Sequence, residues 1–379
     1  MKSSKSMHHL ALILTGLGFS HLMLLISMLL LNYNEFFVSD HFFRWDSGNY
    51  LLIAEKGLFA DYCNGVFSEM LREPFRCGSA GWSPAYPYLI RWLTYIVKDA
   101  ALAGMILSKF FFILNLYFFT ILARLDEFKI KGILLVLCFT VFFGSIYYHA
   151  IFPISQFIFF ALGSFYAMRE NKIHLVALLS FAACLTYSTG FLLGAALSLA
   201  LFIQHFNNLR DKLFRVIIPA IGSIAALLSH FVILHFQTGH WNAFFLVQKR
   251  YGHKLSNPLD KVVQIFEPLM ESSLGLTSVI NLQSLLVLMG FGLISFHFFK
   301  RKLYKDPLLI ISYCYLSVYL LFPYLIGSDQ LSLYRAESLL IPMLFFVSRL
   351  QLRWIIFVFI LLTIINLPMN HLFFKEILV

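Results

Sequence analysis

HLVALLSFAACLTYSTGFLLGAALSLALFIQH, His174 to His205, carries no Asp, Glu, Lys or Arg. As one helix rising 1.5 Å per residue, these roughly 32 residues would be nearly twice as long as a hydrocarbon core of about 30 Å requires. Basic residues stand at both ends: Arg169 and Lys172 before it, Arg210, Lys212 and Arg215 after it. Ser188-Thr189-Gly190 interrupts it with turn chemistry. Two short helices in a hairpin fit better than one long tilted helix.

Outward from this hairpin, apolar stretches near 9–31, 102–123, 132–149, 151–168, 214–236, 276–298, 307–326, 336–348 and 354–373 each read as a span. With the hairpin they make about 11 transmembrane helices, the N-terminus inside. The basic clusters Lys2/Lys5, Arg124/Lys129/Lys131, Arg169/Lys172, Arg210/Lys212/Arg215, Lys300/Arg301/Lys302/Lys305 and Arg349/Arg353 then share the cytoplasmic side. The expectation is one integral membrane domain over 1–379, an all-α polytopic membrane protein. Two long segments, 32–100 and 237–274, face outward. The first apolar run is too long for a signal-peptide core and no small-x-small site follows it, so it reads as an uncleaved signal anchor.

Composition agrees. Of 379 residues, 60% are hydrophobic and 13% charged, and mean hydropathy is +0.79, which excludes an ordinary soluble or disordered chain. The net charge of +10 lies between apolar segments, where it orients a membrane protein, so no nucleic acid is expected as a partner. Ionisable residues within spans are few, chiefly Lys109, His149, His230 and His297, and His230 reads as a packing residue.

Residues 33–99 hold eight of the 19 acidic residues and the run HFFRWDSGNY, His41 to Tyr50. Apolar residues at 50, 51, 53 and 54 predict an amphipathic helix on the membrane surface, with Asp46 at or near its N-cap. Capping alone would account for an Asp there. GWSPAYPYLIRW, Gly81 to Trp92, predicts an extended start and a second surface helix. Its aromatic, proline-fixed wall reads either as an interfacial belt or as one side of a site holding a sugar over a lipid phosphate, with Arg91 near the phosphate. Cys63 and Cys77, fourteen apart, are expected to form a disulfide in an oxidising compartment, two free thiols being the alternative. Cys138, Cys184 and Cys314 are expected as thiols within spans.

FRWDSGNYLLIAEKG, Phe43 to Gly57, followed by WSPAYPYLIR, Trp82 to Arg91, resembles the first lumenal loop of PIG-V type mannosyltransferases and their bacterial relatives, members of the GT-C superfamily of integral membrane glycosyltransferases. Weaker echoes are Thr186–Gly190, Pro153–Gln156, Thr238–Gln248 and Tyr334-Arg335. Departures from the family pattern fall at Gln156, Tyr187 and His240. The resemblance implies a GT-C-like fold and a hexosyltransferase, related to the enzymes of glycolipid and GPI-anchor assembly. The donor would be a polyprenyl (dolichyl or undecaprenyl) phosphate sugar, with mannose favoured, and the acceptor a glycolipid or other lipid-linked molecule. Transfer would invert the anomeric centre on the non-cytoplasmic face.

Such a transfer needs a base to deprotonate the acceptor hydroxyl, and Asp46 is the candidate. Glu55, nine residues on, faces the opposite side of a continuous helix. The leaving phosphate needs positive charge, for which Arg91, Lys249, Arg250 and Arg335 are candidates. Arg44, Trp45, Tyr86, Arg91, Gln248 and Arg335 are the expected substrate-binding residues. Neither an Asp-x-Asp metal motif nor a Gly-rich phosphate loop occurs, so the sequence requires no cofactor and leaves a divalent metal open. A polytopic lipid or solute transporter is the rival reading, and a non-catalytic scaffold the third. Short loops and the absence of a retention signal favour a bacterial inner membrane over endoplasmic reticulum.

Overall fold

Long apolar runs separated by short polar turns fold into helices that satisfy their own backbone, as a lipid-embedded chain must. The computed structural model describes residues 2–62, 76–252, 254–270, 275–276, 278–327 and 332–378. In chain order they form α1 (Lys2–Leu30), a 3-10 turn (Ser39–Phe42), α2 (Asp46–Lys56), β1 (Asp61–Tyr62), β2 (Arg76–Cys77), α3 (Ala85–Val97) and α4 (Ala100–Leu122). Next come α5 (Ile130–Thr140), a 3-10 turn (Ser145–Tyr148), α6 (Ile154–Arg169), α7 (Ile173–Thr186), α8 (Phe191–Gln204), α9 (Leu209–Thr238) and α10 (Ala243–Gln248). The last part comprises β3 (Lys254–Leu255), α11 (Pro258–Met270), α12 (Ser278–Lys300), α13 (Pro307–Leu325), β4 (Ile326–Gly327), α14 (Leu333–Glu337), α15 (Met343–Val347) and α16 (Leu352–Phe374).

Among the described residues six helices are long and apolar enough to cross a membrane: α1, α4, α9, α12, α13 and α16. The protein is therefore an all-α, multi-pass membrane protein. The stretch 174–205 breaks into α7 and α8 at residues 187–190, where the turn chemistry stands.

Three other expected spans take different forms. The stretch 132–149 is an 11-residue helix, α5, followed by a tight 3-10 turn. Gly144 enters that turn at φ +61°, where an added Cβ would strike the Tyr334 carbonyl oxygen at 2.7 Å. The stretch 151–168 becomes the 16-residue α6. The stretch 336–348 is divided into α14, a 3-10 turn over Ser338–Leu340 and α15. Pro342, at the break, has no N–H with which to continue a helix. Leu339, Leu340, Ile341, Leu344 and Phe345 are all buried, so protein rather than lipid surrounds this irregular backbone, the condition under which a membrane protein tolerates it.

Small residues let three helices touch backbone to backbone. A Cβ at Gly222 of α9 would lie 2.2 Å from the Ala177 carbonyl oxygen of α7, and one at Gly194 of α8 would lie 2.5 Å from the Pro219 carbonyl oxygen of α9. Such contacts replace the hydrophobic drive that lipid removes.

Polar cross-links give the assembly two distinct ends. At one end Lys5 pairs with Asp126 at 2.8 Å, Arg169 Nη1 donates to Ile121 O at 3.1 Å, Arg215 donates to Asn171 at 2.8 Å, Lys131 to Leu350 O at 3.2 Å, and Arg349 pairs with Asp306 at 2.5 Å. These contacts gather the basic clusters. At the other end Gln237 accepts from Leu58 N at 2.7 Å and bonds Tyr88, Gln248 Nε2 donates to Gly81 O at 2.7 Å, and β3 pairs antiparallel with β4. This loop end carries α2, α3 and α10.

The two helices of the first loop differ. α3 leaves Trp92, Tyr95 and Ile96 about seven-tenths exposed, an apolar face suited to lying at a lipid surface. α2 instead buries Tyr50, Ile53 and Ala54, with Tyr50 against Tyr86 and Phe152 at ring distances of 5.7 and 5.8 Å. Its apolar stripe is a packing face, which corrects the expectation of a surface helix there.

Gly222→Ala is expected to lower the thermal midpoint of the purified protein by the equivalent of about 2 kcal/mol, since its methyl meets backbone that cannot yield. Gly18→Ala, with nothing within 4 Å of the added Cβ, should leave it unchanged or slightly raised. Equal midpoints for the two variants would refute the backbone contact between α7 and α9.

Candidate active site

Arg44 is 7% exposed, and its guanidinium is enclosed by carbonyl oxygens. Nη1 donates to Asp40 O at 2.9 Å and Phe43 O at 2.6 Å, Nε to Phe373 O at 3.3 Å, and Nη2 to Phe374 O at 3.4 Å. The group also stands 5.6 Å from the Phe373 ring centre. Arg44, expected to meet substrate, instead fastens the first loop to the end of α16.

The next residue, Trp45, takes φ +40° and ψ −102°, a sparsely populated conformation costing about 1–3 kcal/mol that persists only where surroundings impose it. Its side chain is 57% exposed. This bend begins α2 with Asp46 as its first residue. The expected capping role falls away: Trp45 occupies the cap with no side-chain bond, and the first-turn amides of Ser47 and Gly48 bond the carbonyls of Arg44 and Trp45 at 2.8 and 3.0 Å. Ser47 Oγ accepts from Arg44 N and donates to Ile151 O, both at 3.1 Å, which fixes the helix start.

Released from capping, the Asp46 carboxylate meets Arg335 of α14. Oδ2 accepts from Nη1 at 2.5 Å across 289 residues of sequence. The two side chains are 26% and 20% exposed, so both remain open to small groups from outside. Arg335 also lies 5.5 Å from the Phe152 ring centre and near enough to Tyr187 for its charge to act on that phenol. Tyr50 is one helical turn beyond Asp46, and Tyr147 stacks on Tyr334 at 6.2 Å.

The electrostatics follow from that crowding. Burial alone would weaken the guanidinium's charge, but the Asp46 carboxylate beside it acts the other way and its pKa is raised. Arg335 therefore stays charged. Burial, then the neighbouring Asp46 carboxylate, pushes the Tyr50 phenol well above its ordinary value. Burial also raises Tyr187, against the opposing pull of Arg335. Both phenols keep their protons and can donate hydrogen bonds at neutral pH.

The other expected site residues serve seams between elements. Tyr86 is fully buried, its hydroxyl bonded to Gly104 O and Ser108 Oγ at 2.9 Å each, one ring behind Tyr50. Arg91 donates to Ala54 O at 2.5 Å and Ile53 O at 3.1 Å, closing the C-terminal end of α2. Gln248 holds Gly81. Lys249 stands in the 3-10 turn after α10, the Arg250 side chain lies outside the described residues, and Glu55 is exposed on the far face of α2. Cys77 is disulfide-bonded, while Cys138, Cys184 and Cys314 are buried free thiols; Cys63 lies outside the described residues. β1 and β2 pair Asp61 with Cys77 and Tyr62 with Arg76. Among the described residues no three His, Cys, Asp or Glu side chains converge as a metal site would need.

Sequence reading missed Tyr50, Tyr147 and Phe152 as site residues. Tyr50 had a local signal, the i to i+4 spacing from Asp46. The others are brought in only by tertiary folding.

Removing one member of a partly buried ion pair strands the other. Asp46→Asn and Arg335→Met should each lower the thermal midpoint, the double variant should melt nearer wild type than Arg335→Met, and the coupling should be at least about 1 kcal/mol. Additive losses would show that the pair does not act as a unit.

No protein-family model and no curated protein matches the chain, so the chemistry of the site is read from its own groups.

Proposed function

We propose that the protein is an inverting, GT-C type glycosyltransferase that moves a hexose, mannose by the resemblance of its first loop, from a polyprenyl-phosphate donor to a glycolipid or other lipid-linked acceptor. The observation that carries this reading is the Asp46–Arg335 pair: a carboxylate and a guanidinium, side by side and partly open, at the loop end of a membrane protein. In this reading the chain crosses the membrane eleven times, the paired short helices and broken segments making up the remaining crossings. The loop end faces the periplasm of a bacterial inner membrane, or the lumen in a eukaryotic cell.

Chemically, Asp46 takes the proton from the acceptor hydroxyl as that oxygen bonds to the anomeric carbon. The bond from the anomeric carbon to the phosphate oxygen breaks, and its electron pair leaves with the phosphate. Charge develops on that phosphate, and Arg335 meets it. One of the five guanidinium donors contacts Asp46, which leaves others for bidentate contact with phosphate. Tyr50 and Tyr187, protonated at working pH, donate to sugar or phosphate oxygens. A groove of about 300 Å³ lined by Leu228, Phe231, Val232, Trp241, Asn242 and Phe245 opens along α9 and α10; its apolar walls suit the lipid chain of donor or acceptor.

Two experiments test the reading. Asp46→Asn retains shape and an acceptor for Arg335 but cannot take a proton. Membrane glycolipids analysed by mass spectrometry should therefore lose one hexose-bearing species in a gene deletion, wild type should restore it, and the variant should transfer at least about 10³-fold more slowly. Turnover within about tenfold of wild type would remove Asp46 as the base. Separately, labelling tags between residues 64 and 74 should report the non-cytoplasmic side and tags beside Lys129 and Arg301 the cytoplasm; a cytoplasmic first loop would be incompatible with a donor used outside.

A further inference from the structure

α11 has three faces rather than two. At about 100° per residue, Leu259, Val263 and Phe266 fall within about 60° of one another, Asp260, Gln264 and Glu267 fill the next sector, and Lys261 and Ile265 take the opposite side. Lys261 and Ile265 are buried, and the helix packs against α12 and α13. The six residues of the other two sectors are exposed. One of those sectors is wholly apolar: Leu259 is 68%, Val263 51% and Phe266 42% exposed.

Exposed apolar residues continue beyond the helix. Leu255, in the strand that leads into α11, is 85% exposed and pairs with Ile326 just after α13. The next residue, Ser256, donates its N–H to Leu325 O at 3.0 Å. Leu325 is itself exposed, and so is Leu321 one turn earlier on the same helix. On a helix long and apolar enough to cross the membrane, such leucines meet lipid. Hydrogen-bonded backbone thus links the lipid-facing side of α13, through β4 and β3, to the start of α11.

We propose that α11 is a membrane-surface helix, seated in the lipid at the loop end with Leu259, Val263 and Phe266 among the acyl chains, Asp260, Gln264 and Glu267 in water, and Lys261 and Ile265 against the protein. A free surface helix needs one apolar and one polar face. The third, packed face is what fixes this one to the bundle. A contiguous exposed apolar sector marks a site of interaction, and its continuity with exposed leucines of a spanning helix makes lipid the partner. The charges exposed on α11 are acidic, so attraction to anionic headgroups does not hold it; burial of apolar surface does. α3 and α11, from opposite halves of the chain, then both rest on lipid at the loop end. Because β4 precedes α14 in the chain, the same seat steadies the approach to Arg335. This inference does not rest on the transfer reaction, because its readout is the position of the helix.

The test uses the full-length protein in nanodiscs of phosphatidylcholine, carrying one nitroxide label on Val263→Cys or on Gln264→Cys. Cys138, Cys184 and Cys314 are buried, and the unsubstituted protein is the labelling control. Electron paramagnetic resonance compares collision of the label with oxygen, which concentrates in lipid, and with a water-soluble nickel chelate. Oxygen should dominate at 263 by at least about fivefold, and the chelate should dominate at 264. Leu259→Cys should follow the first pattern and Glu267→Cys the second. A label at 263 as open to the chelate as the label at 264 overturns the proposal by placing the whole helix in water. Shielding of 263 from both reagents also overturns it, since protein, such as a second copy of the chain, would then cover this face. Oxygen dominating equally at 263 and 264 does so too, by sinking both sectors in the hydrocarbon.

Discussion

A helix of any length ends with carbonyl oxygens that its own amides cannot reach, and at the end of α16 those of Phe373 and Phe374, which also accept from Glu376 N and the Tyr33 hydroxyl, both receive one arginine. Arg44 bonds both while also holding two carbonyls of its own loop. Because the guanidinium fork is rigid, this fixes where the loop lies and leaves the chain no relaxed path into α2. Trp45 bears the resulting strain at φ +40°. The turn aims Asp46 across the bundle at Arg335 rather than back onto its own helix. The placement of the carboxylate thus depends on a contact that takes no part in the chemistry.

The second half of the site depends on irregular backbone. A continuous helix through 333–347 would place Arg335 on a regular face, whereas the short α14 and the turn after it set Arg335 and Glu337 toward different neighbours. Gly144 permits this, since its lack of a side chain lets residues 144–148 lie directly against Tyr334 and Ser338. Phe152, Tyr50 and Tyr187 then enclose the ion pair. In such surroundings a charge–charge contact is stronger than in water, and an unpaired charge costs correspondingly more.

Hydropathy made the long spans legible, and turn chemistry made legible the break between α7 and α8, because both are local properties. Asp46 stood out through its short polar neighbourhood. The broken forms of 132–149 and 336–348 were hidden, because their kinks are held by packing against distant backbone. The burial of α2 was hidden for another reason: a period of 3.6 residues reveals an apolar stripe but not whether lipid or protein covers it. Arg91 and Arg44 suggested anion binding by residue type. Five donors in a fork fit carbonyls at the end of a helix as readily as they fit phosphate, and sequence does not distinguish the two. Arg335 pairs with a residue 289 positions away, a fact that only the folded chain contains.

The clamp between Arg44 and the end of α16 spans 329 residues, so all of that intervening chain must be made before it can form. At about 5–20 residues per second, roughly 15 s to a minute separates synthesis of the first loop from synthesis of its anchor. For most of that interval the first loop has neither its clamp nor the partner of Asp46. α16, inserted after both members of the ion pair, thus completes a site whose acidic residue was made long before it, and a chain truncated before Phe373 would lack the lock even with Asp46 and Arg335 both present.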